Sequence, residues 1–249
     1  MEAVHRHGAG AANFNTTHWT MVLACEGESD SPRAQEALAS FFQTYWYPLY
    51  GYVRRRGYSE PDAEDIVQAF CLHLQEKGAV AKADPHRGKF RTFLLSSLQN
   101  FLANENERAC AQKRGGGREL IRLDADEANA RYELEPGHSV TPETIFERRW
   151  ANALLEQTVS GLRADFITRG KERLFDGLSS FLTSDLDEIS YQTAADQLGL
   201  PLSAVKTTVH RLRRDYRSKL REEISRTVSS SDEIDDEILY LRKVLASAA

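Results

Sequence analysis

Two helices joined by a tight turn are predicted by residues 191–209, YQTAADQLGLPLSAVKTTV. Ala195 is small where the helices would cross, and Gly199, four residues later, gives the turn the backbone freedom that it needs. Pro201 marks the turn, and Ser203 is suited to cap the second helix. The pattern is typical of a helix-turn-helix, with an ordinary helical hairpin as the alternative. Apolar residues should fill the core between the helices: Leu200, Val205 and Val209.

The predicted second helix has an apolar face and a basic face. The apolar seam consists of Val205, Val209, Leu212, Tyr216, Leu220 and Ile224. The basic face consists of Lys206, His210, Arg213, Arg214, Arg217 and Arg221. A core seam beside charges of one sign suits the major groove and its phosphates, although a solvated charged face is the alternative. We assign contacts with duplex DNA to Ser203, Ala204, Lys206, Thr207, His210, Arg211, Arg213, Arg214 and Arg217.

The charge of the chain is unevenly distributed. The net charge is −5, yet residues 86–118 carry seven Lys/Arg against two Glu, a local +5. Residues 190–226 carry eight Lys/Arg against four Asp/Glu, a local +4. Acidic segments lie between and after them, at 124–135 (−4) and 229–249 (−3). Two basic modules on one chain suggest two contacts with a polyanion.

Helical periodicity extends over most of the remaining chain. We expect helices at about 32–56, 59–78, 90–112, 143–164 and 170–183, with Ser59 and Thr141 as N-caps. No strand alternation of any length and no internal repeat is visible. The fold class is therefore all-α, with two small helical domains joined by a flexible acidic linker. The predicted units are a disordered N-terminus (1–14), domains at 15–112 and 143–226, the linker 113–142, and an acidic amphipathic tail (227–249).

Three segments in this order resemble the extracytoplasmic-function group of bacterial sigma factors. The segment DAEDIVQAF at 62–70 is similar to the helix that binds core RNA polymerase. The segment FRTFL at 90–94, together with the residues that follow it to Arg108, is similar to the promoter-melting helix. Residues 191–213 are similar to the domain that reads the −35 element. The resemblance covers roughly residues 35–110 and 145–225. It implies a sigma region 2-like bundle followed by a sigma region 4-like helix-turn-helix domain.

The resemblance also implies roles for individual residues. Core polymerase would be bound by Asp62, Asp65, Gln68 and Phe70. The −10 strand would be held by Arg87, Gly88, Lys89, Phe90, Arg91, Asn100, Asn104 and Arg108. Phe90 would stack on a base flipped into the loop 84–89, for which a plain interhelical turn is the alternative. The duplex contacts assigned above would then be contacts with the −35 element.

The sequence departs from the family's pattern in three places. Thr208 stands where many members carry Arg, so the −35 preference does not carry over. Residues 161–189 form a longer approach to the helix-turn-helix than is usual. The tail adds an amphipathic seam. We expect the tail to dock on the second domain or on a regulator, where its acidic residues would compete with DNA for the basic face. The alternative is a solvated terminal helix. The seam consists of Ile234, Ile238, Leu241 and Leu245.

Enzyme and membrane classes are disfavoured by the sequence. The three cysteines, Cys25, Cys71 and Cys110, form no CxxC pair. Acidic residues in the first turn of a helix are better explained by interaction with the helix dipole than by metal binding. We expect no cofactor, no metal and no catalysis. No apolar run approaches a membrane span and no secretory leader is evident, which favours the cytoplasm and a monomer when free. Expected partners are core RNA polymerase and promoter DNA, with an anti-sigma factor or other regulator left open. A stand-alone helix-turn-helix regulator, or a metal-dependent nuclease, is the alternative.

Overall fold

The computed structural model describes residues 32–75, 89–111, 141–182, 188–228 and 230–246, which contain helices and no strand. This confirms the all-α prediction. The α-helices of the described part are α1 (Pro32–Arg55), α2 (Glu60–Gln75), α3 (Phe90–Ala111), α4 (Pro142–Thr168), α5 (Glu172–Leu178), α6 (Glu188–Leu198), α7 (Leu202–Ser225) and α8 (Ile234–Ala246). Short 3-10 helices follow α5 and precede α8, at Ser179–Leu182 and Ser231–Glu233.

Local sequence explains several helix ends. The hydroxyl of Ser59 accepts a hydrogen bond from the amide of Asp62 (3.3 Å), which caps the start of α2. The side chain of Thr141 accepts from the amide of Thr144 (3.2 Å), and Pro142 occupies the first position of α4. Beyond the last turn of α1, Gly57 has a positive φ of 95°, which ends that helix.

Helix α4 is longer than the sequence predicted. It spans 27 residues and ends at Thr168, where Gly170 takes a positive φ of 66° and the amide of Lys171 donates to the carbonyl oxygen of Phe166 (2.8 Å). The predicted helix at 170–183 is instead the short α5 followed by a 3-10 turn. At 1.5 Å per residue, α4 is about 40 Å long, enough to take part in two hydrophobic cores.

The first hydrophobic core joins residues from both predicted domains. It contains apolar residues of α1, α2 and α3, and helix α4 adds Phe146, Trp150, Ala151 and Leu154. The core is completed by Ile224 of α7, by Leu241 of α8 and by Val228, which lies between these two helices in the sequence. Helix α1 packs mainly on α4, so the boundary that the sequence suggested does not separate two independent cores. Cys71 lies in this core as a free thiol, and burial raises its pKa to about 12.

Helices α1 and α4 approach each other closely at Gly51. The guanidinium of Arg149 occupies the space where a side chain at position 51 would begin. Arg149 is itself buried, and its guanidinium carbon lies 4.2 Å from the ring centroid of Tyr47. A glycine at position 51 therefore makes room for a buried cation between the two helices.

The second hydrophobic core gathers the distal end of α4 and the predicted helix-turn-helix. It consists of Leu162, Phe166, Phe175, Leu178, Phe181, Ala194, Ala195, Val205, Val209 and Leu212. The rings of Phe181 and Tyr191 lie 4.6 Å apart at their centroids, which fixes the 3-10 turn against α6. This core holds α6 and α7 on the end of α4.

Helix α8 packs on α4 and α7. The predicted apolar seam of the tail faces the first core: Leu241 is buried, and Ile234, Ile238 and Leu245 pack against it. The helix therefore docks within the chain, which supports the docking alternative over a solvated helix. Within the described ranges, the helices are too short or too polar for any to qualify as a membrane span.

Candidate functional site

The outward face of α2 carries acidic and apolar side chains. Asp62 and Asp65 are exposed and Gln68 is half-buried. Leu72, seven residues after Asp65 and so on the same face, is 49% exposed. Sequence reasoning missed Leu72, because an isolated leucine near a seam gives no signal of its own exposure. Together these side chains form a surface that we call the acidic α2 face: Asp62, Asp65, Gln68 and Leu72.

Phe70 does not belong to that face. Its side chain is fully buried, and its ring lies 5.6 Å from that of Phe101 in α3. Its position in the helical seam with Ala63 and Val67 turns it inward. This placement contradicts the expectation that Phe70 anchors a partner, since its apolar surface is already used between α2 and α3.

Two cations begin helix α3. Lys89 precedes its first residue, and Arg91 is its second; Arg87 and Gly88 lie outside the described residues. Phe90, between the cations, is fully buried with its ring 5.4 Å from Tyr45 and 6.1 Å from Phe93. The expected stacking of Phe90 on a base is therefore contradicted in this arrangement, because the ring is a core residue.

The side chains of Lys89 and Arg91 lie in an ionic cluster. The carboxylate of Glu237 in α8 pairs with both, one oxygen to each cation. The Nε of Arg91 also lies 3.1 Å from an oxygen of Glu147 in α4. Burial and the neighbouring Arg91 lower the pKa of Lys89, and burial raises the pKa of Glu147. At the junction of α3, α4 and α8, the charges of the two cations, Lys89 and Arg91, are thus balanced by the two carboxylates, Glu147 and Glu237.

Aromatic rings hold the guanidinium of Arg91 from two sides. Its central carbon is 4.2 Å from the ring centroid of Tyr240 and 4.5 Å from that of Trp150. Only 6% of the Arg91 side chain is exposed, against 29% for Lys89. Such a sandwich fixes the guanidinium plane and weakens its contact with water.

The polar face of α3 continues beyond this cluster. Asn100 and Asn104 are exposed, four residues apart on one side of the helix. The side chain of Arg108 lies outside the described part. The structure therefore leaves two of the three predicted polar residues accessible along the helix that Lys89 begins.

Helix α7 carries the predicted basic face. Among the residues assigned to duplex DNA, the exposed ones are Ser203, Lys206, Thr207, His210, Arg211, Arg214 and Arg217, and Ala204 and Arg213 are half-buried. The Nε of Arg213 donates to the carbonyl oxygen of Phe181 (3.0 Å), so this arginine ties α7 to the 3-10 turn. Arg214 pairs with its neighbour Asp215 (3.1 Å), and Arg221 pairs with Asp235 of α8.

The turn between α6 and α7 runs from Gly199 to Pro201. Gly199 has a φ of +66°, and the amide of Leu200 donates to the carbonyl oxygen of Ala195 (3.0 Å), as in a helix end closed by a left-handed glycine. Two expectations fail here. Leu200 is 36% exposed because it belongs to the turn and to neither helix, and Ser203 is no cap because α7 begins at Leu202 after Pro201.

No group of three His, Cys, Asp or Glu side chains that could hold a metal ion occurs among the described residues. The charged groups of α3 and α7 instead point to binding.

Comparison with known families places one match on this chain. Residues 41–106 match the family model described as Sigma-70 region 2, a range that contains α2, most of α1 and α3, and the acidic α2 face. The match supports a sigma-70 family factor with a role in transcription initiation, and it implies core RNA polymerase and promoter DNA as partners. Neither the comparison with curated proteins nor that with solved structures gave a match.

Proposed function

We propose that the chain is a sigma factor of the extracytoplasmic-function type, which directs core RNA polymerase to promoters. It would read the −35 element as duplex and capture the −10 element as a single strand. The observation that carries the proposal is the Sigma-70 region 2 match over residues 41–106. We assign the chain no catalytic step of its own.

The acidic α2 face is the proposed surface for core polymerase. Exposed carboxylates of Asp62 and Asp65 suit a basic partner, and the amide of Gln68 adds a directional contact. Leu72 replaces Phe70 as the apolar contact in this proposal, because it is the exposed leucine on that face. Support comes from the position of these side chains on one side of a single helix, where Asp62, Asp65 and Leu72 are exposed.

The −10 strand is proposed to run along α3. Lys89 and Arg91 would meet phosphates at its start, and Asn100 and Asn104 would contact bases or sugars farther along. Their common helix supports this role, as does the local positive charge of residues 86–118. Arg87, Gly88 and Arg108 remain proposed members of the same surface.

The −35 duplex is proposed to contact α7. Near its start, Ser203, Ala204, Lys206 and Thr207 would reach base edges, while His210, Arg211, Arg214 and Arg217 would hold the backbone. The exposure of these side chains on a helix packed through its other face supports this assignment. Arg213 is given a structural role instead, because its Nε is bound to Phe181.

Transcription in vitro tests the proposal. The purified chain, added to core RNA polymerase and sheared genomic DNA of its source, should co-purify with the core enzyme and start transcripts at defined positions. Asp65→Asn should weaken core binding by about fivefold, roughly 1 kcal/mol, because it removes one exposed charge from the interface.

Asp196→Asn is the matched control for that substitution, since Asp196 is an exposed acid on α6, away from the acidic α2 face. It should leave core binding unchanged. Binding of duplex DNA without any association with core polymerase would contradict the proposal and favour a stand-alone regulator. We do not favour that regulator, because a protein that binds duplex alone has no use for a Sigma-70 region 2.

A further inference from the structure

Helix α8 inserts a carboxylate into the start of α3. Glu237 is 0% exposed, and its two oxygens pair with Lys89 and Arg91. These are the described cations that the proposed function assigns to the −10 strand at the start of α3. A carboxylate and a phosphate need the same donors, the Nζ of Lys89 and the guanidinium of Arg91, so one donor set cannot serve both at once.

A second contact of α8 neutralises a cation of α7. Asp235 pairs with Arg221, at the distal end of the basic face. Of the other acids near the start of α8, Asp232 and Asp236 are exposed and Glu233 is half-buried. Helix α8 therefore brings negative charge to both proposed DNA surfaces, and this charge would repel an approaching strand.

The docking of α8 is limited in extent. Glu237 and Leu241 are its buried residues, whereas its other apolar residues are only partly covered and Leu239 is 49% exposed. Helix α4 by contrast buries residues along its whole length in two cores. A helix held by one buried leucine, by partly covered apolar side chains including Tyr240, and by two sets of ion pairs can separate from the fold while the rest of both cores persists.

We propose that α8 is an autoinhibitory element whose Glu237 occupies the cations that hold the −10 strand, so that α8 must leave before the strand binds. The inference rests on the proposed function of Lys89 and Arg91. The two sites are linked: whatever displaces α8 favours strand binding, and strand binding favours displacement of α8. Arg91 keeps Glu147 as a partner when Glu237 leaves, which limits the cost of opening.

Binding of single-stranded DNA by the free full-length chain tests the inference. The probe is a fluorescein-labelled oligonucleotide pool of about 20 nucleotides with random sequence, followed by anisotropy. Glu237→Gln keeps the shape of the side chain and removes its charge, and it should tighten binding by about fivefold. Asp196→Asn removes one exposed charge from α6, away from the start of α3, and should change affinity much less.

Measured against Lys89→Ala alone, adding Glu237→Gln should give a smaller gain in affinity than it gives in the wild type, because Lys89 is one of the two cations that Glu237 occupies. Equal affinity of the wild type and Glu237→Gln would overturn the inference, and so would a gain that Lys89→Ala leaves at full size. Transcription with core polymerase would still succeed in those cases, so failure of the inference is distinguishable from failure of the proposed function.

Hydrogen exchange of the wild type gives a second measurement that needs no substitution and covers the case in which Glu237→Gln fails to fold. Adding the oligonucleotide should speed the exchange of backbone amides in residues 234–246, because strand binding releases α8. Unchanged or slower exchange there, at an oligonucleotide concentration that saturates the anisotropy signal, would overturn the inference.

Discussion

Gly199 carries the turn of the proposed −35 module in a conformation that other residues avoid. Its φ is +66°, and no atom lies within 4 Å of a Cβ built there, so the effect of a side chain would come from the backbone alone. Gly199→Ala should lower the free energy of unfolding by about 1–2 kcal/mol, measured by urea denaturation.

Gly199→Asn is the matched comparison, because asparagine enters the left-handed region more readily than alanine. Its loss of stability should be smaller than that of Gly199→Ala. Equal losses for the two variants would show that the positive φ is not what Gly199 supplies.

Phe70 and Phe90 show how sequence reasoning can conflict with itself. Helical spacing places Phe70 on the same face as Ala63 and Val67, which indicates a buried face, whereas the resemblance assigned it a partner. In the structure both phenylalanines are buried: Phe70 packs on Phe101, and Phe90 packs on Tyr45. Exposed residues such as Asp65 and Asn100 show no such conflict, because both arguments turn them outward.

Helix α7 is the element whose charges can be divided by role. Arg211 and Arg217 are exposed, while Arg213 is bound to the carbonyl of Phe181. Replacing Arg211 and Arg217 together by Ala should reduce the slope of log affinity against log salt by about 2, measured with a labelled random-sequence duplex, because each phosphate contact contributes about 0.9.

Lys243→Ala is the control for this slope, since Lys243 is an exposed cation on α8 outside the basic face. It should leave the slope unchanged. Arg213→Ala should chiefly lower thermal stability, through the lost bond to Phe181. A slope unaffected by the double substitution would mean that α7 does not present these arginines to phosphate.

Helix existence and several helix ends could be predicted from the sequence because their causes are local. Ser59, Thr141 and Gly57 act on residues within one turn of themselves. Helix α4 ends at Thr168, four residues beyond the predicted end, shortly before Gly170 with its positive φ. The start of α7 was set by Pro201, which fixes the preceding turn more strongly than Ser203 could cap it.

The division of the chain into cores could not be predicted, because it depends on contacts between distant residues. Phe146 and Trp150 of α4 join a core with α1, whereas Leu162 and Phe166 of the same helix join another with α5 to α7. The pattern of apolar residues along one helix does not indicate which other helices those residues will contact. The pairing of Glu237 with Lys89 likewise spans 148 positions and leaves no local pattern.

Because α4 takes part in both cores, helices α1 to α7 should unfold together. Leu154 is 1% exposed in the first core, and Leu154→Ala should lower the free energy of unfolding by about 2–5 kcal/mol. Urea transitions followed by tryptophan fluorescence, which includes Trp46 and Trp150 of that core, should coincide with those followed by far-UV circular dichroism.

Leu239→Ala deletes the same atoms from a side chain that is 49% exposed, and it should change stability by less than about 0.5 kcal/mol. Two separate transitions, with Leu154→Ala shifting only one of them, would contradict a jointly unfolding chain and restore two independent domains.

The separation of Glu237 from Lys89 along the chain also has a meaning in time. The ribosome adds roughly 5–20 residues per second, so the 148 positions between the two partners correspond to about 7–30 s of synthesis. During that interval Lys89 and Arg91 have been made, and Glu237, the carboxylate that pairs with both, has not. A nascent chain therefore passes through a stage at which polyanions meet these cations without competition from Glu237, and this stage ends once Glu237 has been synthesised and α8 docks.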